Sequence, residues 1–257
     1  MLSFTDAQFY GWLGSFIWPL TRILGLISIA PVFGHMSVPA TGKIGIAVML
    51  TLIVSPTLTN IPIIDPATPA GILILTQQMI IGLAMGFAMR MVFVAVEMAG
   101  AISTQSMGLG FASFYDPQTQ GQTGSISQLL TMLATLIFLA INGHLILIET
   151  LVNSFSTLPV GLSPNQHGFM QLANWGGLIF SAGVQLAMPM IAALLITNIA
   201  LGILTRSAPQ LNIFGIGFPI TLSVGFFVIM LSLPYLTAPI IAFINQSFNF
   251  TQRLFLP

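Results

Sequence analysis

The sequence predicts an all-α integral membrane protein of the polytopic type, and three observations carry that reading. Hydrophobic residues make up 56% of the chain and charged residues 4%, against roughly 25% charged in a soluble domain. The mean hydropathy is +0.99 over 257 residues. The apolar residues gather into six blocks separated by turn-forming connections, which gives six hydropathy spans. Five basic and five acidic residues cancel, so the chain has no electrostatic footprint for nucleic acid or an anionic surface. Partners must be recognised by shape and apolar contact. Cysteine is absent, which removes disulfides and thiolate chemistry together.

The first block covers residues 9–33, more than the ~20 residues that cross a ~30 Å hydrocarbon core. It contains Pro19 and Arg22, with Gly11, Gly14, Ser15 and Ser28 small enough for close helix approach. The N-terminal residues lack a basic stretch and a small-residue cleavage site, so they are expected to be retained. The turn Pro31-Val-Phe-Gly34 through Val38-Pro39 closes the block, with Lys43 beyond it. The second block, 44–64, is interrupted by Ser55-Pro56 and followed by Asn60-Ile-Pro62 and Asp65-Pro66, so it is short or bent. The third, 69–106, would extend roughly 55 Å at 1.5 Å per residue and must project beyond the membrane, bend, or lie outside it. Arg90 and Glu97 share a face of this helix, but the helical rise sets them about 10 Å apart, so each needs another partner.

Residues 107–125 interrupt the pattern. Gly108, Gly110, Gly121, Gly124 and Pro117 prevent a continuous helix, yet Phe111, Phe114 and Tyr115 are costly to leave in water. At membrane depth, irregular backbone survives only inside protein or along a watery cavity, which marks this segment as the functional centre. The fourth block, 126–152, carries Asn142-Gly-His144 and Glu149, and residues 153–168 read as a packed surface loop. The fifth block, 169–204, turns at 205–212 into the sixth, 213–248, to make a helical hairpin. Lys43 and Arg206 fall in odd-numbered connections and Asp65 in an even one; this places odd connections in the cytoplasm and both termini outside, although Arg253 argues against it.

No nucleophile constellation exists, and His35, His144 and His167 lie in separate elements without ligand spacing. Catalytic, metal and cofactor sites are therefore not expected. Intramembrane ionisable residues are costly to bury and mark function by default; Arg22, Arg90, Glu97 and Glu149 qualify, either as buried charges paired between helices or subunits, or with Glu97 and Glu149 as relay carboxylates of a proton-coupled transporter. The small-residue pairs Gly82-Leu-Ala-Met-Gly86 and Gly177 to Gly183 permit close packing within the chain or between chains. The methionines of the third block fill a core or seal an adaptable opening.

Several stretches together resemble the FliR family of flagellar export-apparatus proteins, called SctT in injectisomes: Pro31-Val-Phe-Gly34 with Val38-Pro39, the segment Gly108 to Gly121, Asn142-Gly-His144, Ser154-Phe155 with Leu158-Pro159, and the run from Pro209 to Pro219. They span essentially the whole chain. The resemblance implies a non-enzymatic subunit in the flagellar basal body of the bacterial inner membrane, with periplasmic termini. It would close a ring of kinked helical hairpins with FliP-like and FliQ-like proteins, alongside FlhB-like and FlhA-like ones, to pass unfolded protein. It also implies a FliP-like part over 1–168 and a FliQ-like hairpin over 169–257, whose turn at Arg206, Pro209, Gln210 and Asn212 faces the cytoplasm. Residues 107–122 would plug the pore: Phe111, Phe114 and Tyr115 block it, Asp116-Pro117 fixes a turn, and Met107 tightens the seal. Gly108, Gly110, Gly121 and Gly124 let the plug move. A passive assembly scaffold is the remaining alternative.

Overall fold

A computed structural model describes residues 5–58, 61–109, 124–208 and 213–254. The described residues form α-helices and connections, without a strand. In chain order the helices are α1 (Asp6–Ile29), α2 (Ala40–Val54), α3 (Pro69–Ser106), α4 (Ser125–Ala140), α5 (Gly143–Thr157), α6 (Gln166–Trp175), α7 (Gly177–Ser207) and α8 (Ile213–Arg253). Five segments are long and apolar enough to cross a membrane, and a sixth arises if α4 and α5 count as one broken span. The all-α polytopic expectation therefore holds, with differences at particular boundaries.

The boundaries have local causes. The second block breaks where Ser55-Pro56 predicts: α2 ends at Val54 and Pro56 sits in a 3₁₀ turn, Ser55–Thr57, because proline cannot continue the hydrogen-bond ladder. The fourth block is broken at Asn142, which takes a left-handed conformation with φ 57°, a region asparagine tolerates better than most residues. The surface loop expected at 153–168 is helical as far as Thr157. Asn165 then caps α6, its Oδ1 accepting from His167 N at 3.0 Å, as asparagine does at helix N-termini. The third block is a single helix over the range its composition suggests.

Prolines lie inside α1, α7 and α8, and each frees the carbonyl four residues earlier. For Pro19 that carbonyl belongs to Ser15, and Ser55 Oγ donates to it at 2.7 Å. A hydroxyl on the next element thus satisfies the oxygen the proline leaves unpaired, as happens where water is excluded.

The chain divides into two compact units. The first comprises Met1–Met91, Leu139–Gly176 and Ile244–Pro257. In it α1 and α3 approach through glycines: a Cβ at Gly25 would stand 2.7 Å from Met79 O, one at Gly86 2.8 Å from Leu26 O, and one at Gly82 would collide with the Arg22 carbonyl. The Gly82 to Gly86 pair thus packs within the chain. Trp18, Ile23, Leu26 and Ile27 of α1 and Ile81, Met85 and Met89 of α3 are fully buried in this core. Trp175 at the end of α6 stacks on Phe250 with ring centroids 4.4 Å apart.

The second unit comprises Val92–Phe138 and Gly177–Phe243. There α3 meets α4 where Gly100 lies against the Ser127 backbone, and meets α7 where a Cβ on Gly183 would come 3.1 Å from Met98 Cγ. Phe93 and Phe138 pack edge to face at 5.7 Å, a favoured aromatic geometry. Gly177 has open space around it, so only Gly183 of that pair makes a close contact. The apolar window of α3 is 67% buried, whereas those of α2, of residues 167–207 and of α8 are 17%, 22% and 17% buried. α3 is the most buried of these spans, and α2, α7 and α8 expose apolar side chains.

Gly82→Val is expected to destabilise the chain by about 1–3 kcal/mol, the typical cost of overpacking, read as a lower melting temperature in detergent; Gly202→Ala, with open space at its Cβ, should leave the melting temperature unchanged. Ser55→Ala, which strands the Ser15 carbonyl, should cost about 1–3 kcal/mol in the same assay.

Candidate functional site

Arg22 is completely buried in the first unit, and its partners are neutral. Nε donates to Gln78 Oε1 at 2.8 Å. Nη1 donates to Ser154 O at 2.9 Å and to Ser154 Oγ at 3.1 Å, and Nη2 to Leu158 O at 2.9 Å. The guanidinium carbon stands 4.2 Å from the centroid of the Phe155 ring. The carbonyls lie at the C-terminal end of α5, where the helix dipole is negative; Ser154 O also accepts from Leu158 N at 2.9 Å. A planar fork of five N–H groups matches such divergent acceptors, which an ammonium cannot. Ser154-Phe155 with Leu158 thus receives Arg22 across 132 and 136 residues of sequence.

Beside this cluster, within the first unit, lies a cavity of about 310 Å³ lined by Met85, Thr150, Asn153, Ser154, Thr157, Thr251 and Gln252. Positions 150, 153, 154 and 157 form one face of α5. The lining carries hydroxyls and amides but no ionisable group, so it offers no acid–base pair for catalysis. Among the described residues no cluster of three His, Asp or Glu side chains could hold a metal.

The other intramembrane charges are not gathered with Arg22. Arg90 and Glu149 are exposed and Glu97 is half-buried; Glu97 belongs to the second unit, the other two to the first. Asn142 is exposed, and the half-buried His144 has an unpartnered Nδ1. Arg206 is exposed in the last turn of α7, where a cation complements the helix dipole. Pro209, Gln210 and Asn212 lie outside the described residues, as do Gly110, Phe111, Phe114, Tyr115, Asp116, Pro117 and Gly121.

What is described of the central segment is its root, in the second unit. Met107 is fully buried, and its N–H donates to Ser103 O at 3.0 Å. Thr221 Oγ1 donates to Met107 O at 3.3 Å. Gly108 follows with φ 82°, a conformation natural to glycine.

Two features are absent from a reading of residue types alone. Val32, inside Pro31-Val-Phe-Gly34, has φ 69°, an outlier for a β-branched residue. Phe33 N donates to Pro31 O at 2.9 Å across it, and Lys43 Nζ holds Gly34 O at 2.9 Å. The motif is a strained γ-turn. Gln78 is the second: the only adjacent amide pair in α3 is Gln77-Gln78, within its apolar N-terminal half, and that pair is the signal that a buried donor needs an acceptor there.

The helices, the outward apolar faces and the neutral lining of the cavity define a membrane-type helical protein that presents surfaces to other molecules. The chain belongs to the family described as bacterial export proteins, family 1, which matches residues 13–247, and that family is one of export components, not enzymes. The flagellar biosynthetic protein FliR of Escherichia coli K12 is 45% identical over 228 residues, 88% of this chain and 86% of the relative. FliR of Pectobacterium carotovorum is 44% identical over 91% of this chain and 90% of its own. FliR of Bacillus subtilis is 30% identical over 84% and 85%. The resemblance carried by the motifs is thus confirmed at the level of the family.

Removing the guanidinium strands Gln78 Oε1 and the Leu158 carbonyl, while Ser154 O keeps its bond from Leu158 N. Arg22→Ala is expected to cost about 1–3 kcal/mol for each stranded acceptor, measured as loss of folded chain in detergent; Arg22→Lys should recover only part of it, because one ammonium cannot span Gln78, Ser154 and Leu158 together.

Proposed function

We propose that the chain is the FliR-type subunit of a flagellar type III protein-export gate in the bacterial inner membrane. Its similarity to flagellar FliR proteins over most of both chains carries this reading. The outward apolar faces of α2, α7 and α8 support it, since a subunit that assembles inside a membrane contacts its neighbours through such faces. FliP-like and FliQ-like proteins are the neighbours, with FlhB-like and FlhA-like proteins further out. Residues 1–168 form the FliP-like part and 169–257 the FliQ-like hairpin. Arg206 and the turn after it face the cytoplasm, and both termini the periplasm. Arg90, Glu97 and Glu149 meet partner chains.

Residues 107–122 close the pore in this reading, with Phe111, Phe114 and Tyr115 as the blocking side chains. The gate passes unfolded protein when other components open it. Closure of this kind is steric and needs no chemical step.

Co-expression with FliP-like and FliQ-like proteins should yield one stable complex containing several copies of each; a chain that purifies alone would overturn the assignment. In that complex, deleting residues 110–120 should raise ion leakage through the resting gate severalfold, and unchanged leakage would remove the plug. Glu97→Gln and Glu149→Gln should leave proton coupling in the isolated chain undetectable, as in the unaltered protein, while lowering the yield of complex.

A further inference from the structure

Met107 is held at three points. Its N–H is bound to Ser103 O, which ties it to the end of α3. Its carbonyl accepts from Thr221 Oγ1 at 3.3 Å, a hydroxyl shared with Phe218 O at 3.0 Å. Its side chain occupies a notch on α8 that exists because residue 225 is glycine: a Cβ there would stand 2.5 Å from Met107 Cγ, 2.6 Å from Cε and 2.8 Å from Sδ. Thr221 and Gly225 are four residues apart and so share a face of α8. Both ends of the contact belong to the second unit.

The side-chain chemistry fits the notch. Methionine is unbranched and adaptable, so it can lie along a groove only as wide as a missing Cβ. Immediately after this pinned residue, Gly108 turns with φ 82°, which a side chain adopts only under strain. The chain is therefore anchored at one residue and free to change direction at the next.

We infer that Met107, Thr221 and Gly225 form a joint that fixes where the segment beginning at Gly108 starts. Met107 is then a positioning residue, not part of the blocking surface, and any rearrangement of the segment begins beyond it while α3 stays docked on α8. This rests on the reading of 107–122 as a plug. It departs from that reading by assigning Met107 to the wall.

The test uses the assembled gate with two readouts: ion leakage, and oxidation of individual methionines by hydrogen peroxide followed by mass spectrometry. Met107 should stay reduced while the exposed Met36 and Met132 are oxidised. Gly225→Ala should expel it, raising its oxidation rate at least severalfold and raising leakage, though less than deletion of 110–120 does. Met107→Ala in the Gly225→Ala background should bring leakage back toward the unaltered value, because the shortened side chain no longer meets the new Cβ. Such non-additivity marks a direct contact. Should Gly225→Ala fail to assemble, Met107→Ala alone, which only removes atoms, should raise leakage. The joint is overturned if Met107 is equally protected in Gly225→Ala, or if Gly225→Ala and Met107→Ala leave leakage unchanged while the deletion raises it. If the deletion itself has no effect, the plug reading fails and the oxidation rates alone decide the joint.

Discussion

A buried guanidinium without a carboxylate organises the first unit. Arg22 joins three segments distant in sequence: α1 carries it, α3 supplies Gln78, and the end of α5 supplies the carbonyls of Ser154 and Leu158. Burying a bare cation in such a place would cost many kcal/mol. The cost is offset by divergent acceptors: Gln78 Oε1, the Leu158 carbonyl, and the Ser154 carbonyl, which takes the guanidinium beside its bond from Leu158 N. Each side solves the other's problem. The arrangement also fixes geometry, because a planar fork satisfied at Nε, Nη1 and Nη2 leaves α5 little freedom to slide along α1.

The same economy of charge recurs in the backbone. Where Pro19 frees a carbonyl, the hydroxyl of Ser55 takes it, and where Trp175 and Ser247 need an acceptor, both find Ala88 O. Carbonyl oxygens have two lone pairs and can serve a helix and a side chain together. An interior this poor in charged residues can be close-packed around α3, and glycines at 25, 82, 86 and 100 set how near the neighbouring helices come. The glycine at 225 plays the complementary part, receiving a side chain instead of a backbone.

Much of this was legible in the sequence, and the gaps have physical reasons. Apolar composition predicts helices and spans well, because a backbone in lipid has few ways to satisfy its own polar groups; α3 follows its apolar block from Pro69 to Ser106. Composition says less about where a helix stops. In the second block Ser55-Pro56 marked the stop in advance, but Asn142 divides a block that hydropathy reads as continuous. The partners of Arg22 were hidden because they are neutral: a search for opposite charges passes over Gln78 and two main-chain oxygens. Met107 belonged by sequence to the glycine-rich segment, and residue types alone do not reveal that its side chain lies where a Cβ would stand at Gly225, more than a hundred positions later.

Because the first unit pairs its deepest charge internally, the exterior is left with very few. Among the described residues Arg90, Glu149, Arg206 and Arg253 are the exposed charges, on a surface rich in Leu, Ile, Phe and Met. An apolar face alone specifies contact but not register, since one such helix slides past another at little cost. An isolated charge changes that, because burying it without a partner costs several kcal/mol and forbids most alignments. Sparse exposed charges on broad apolar helices therefore restrict which alignments such a face can adopt against another. That restriction falls on the surface, and it leaves the joint at Met107 and the clamp at Arg22 to hold the shape that the surface presents.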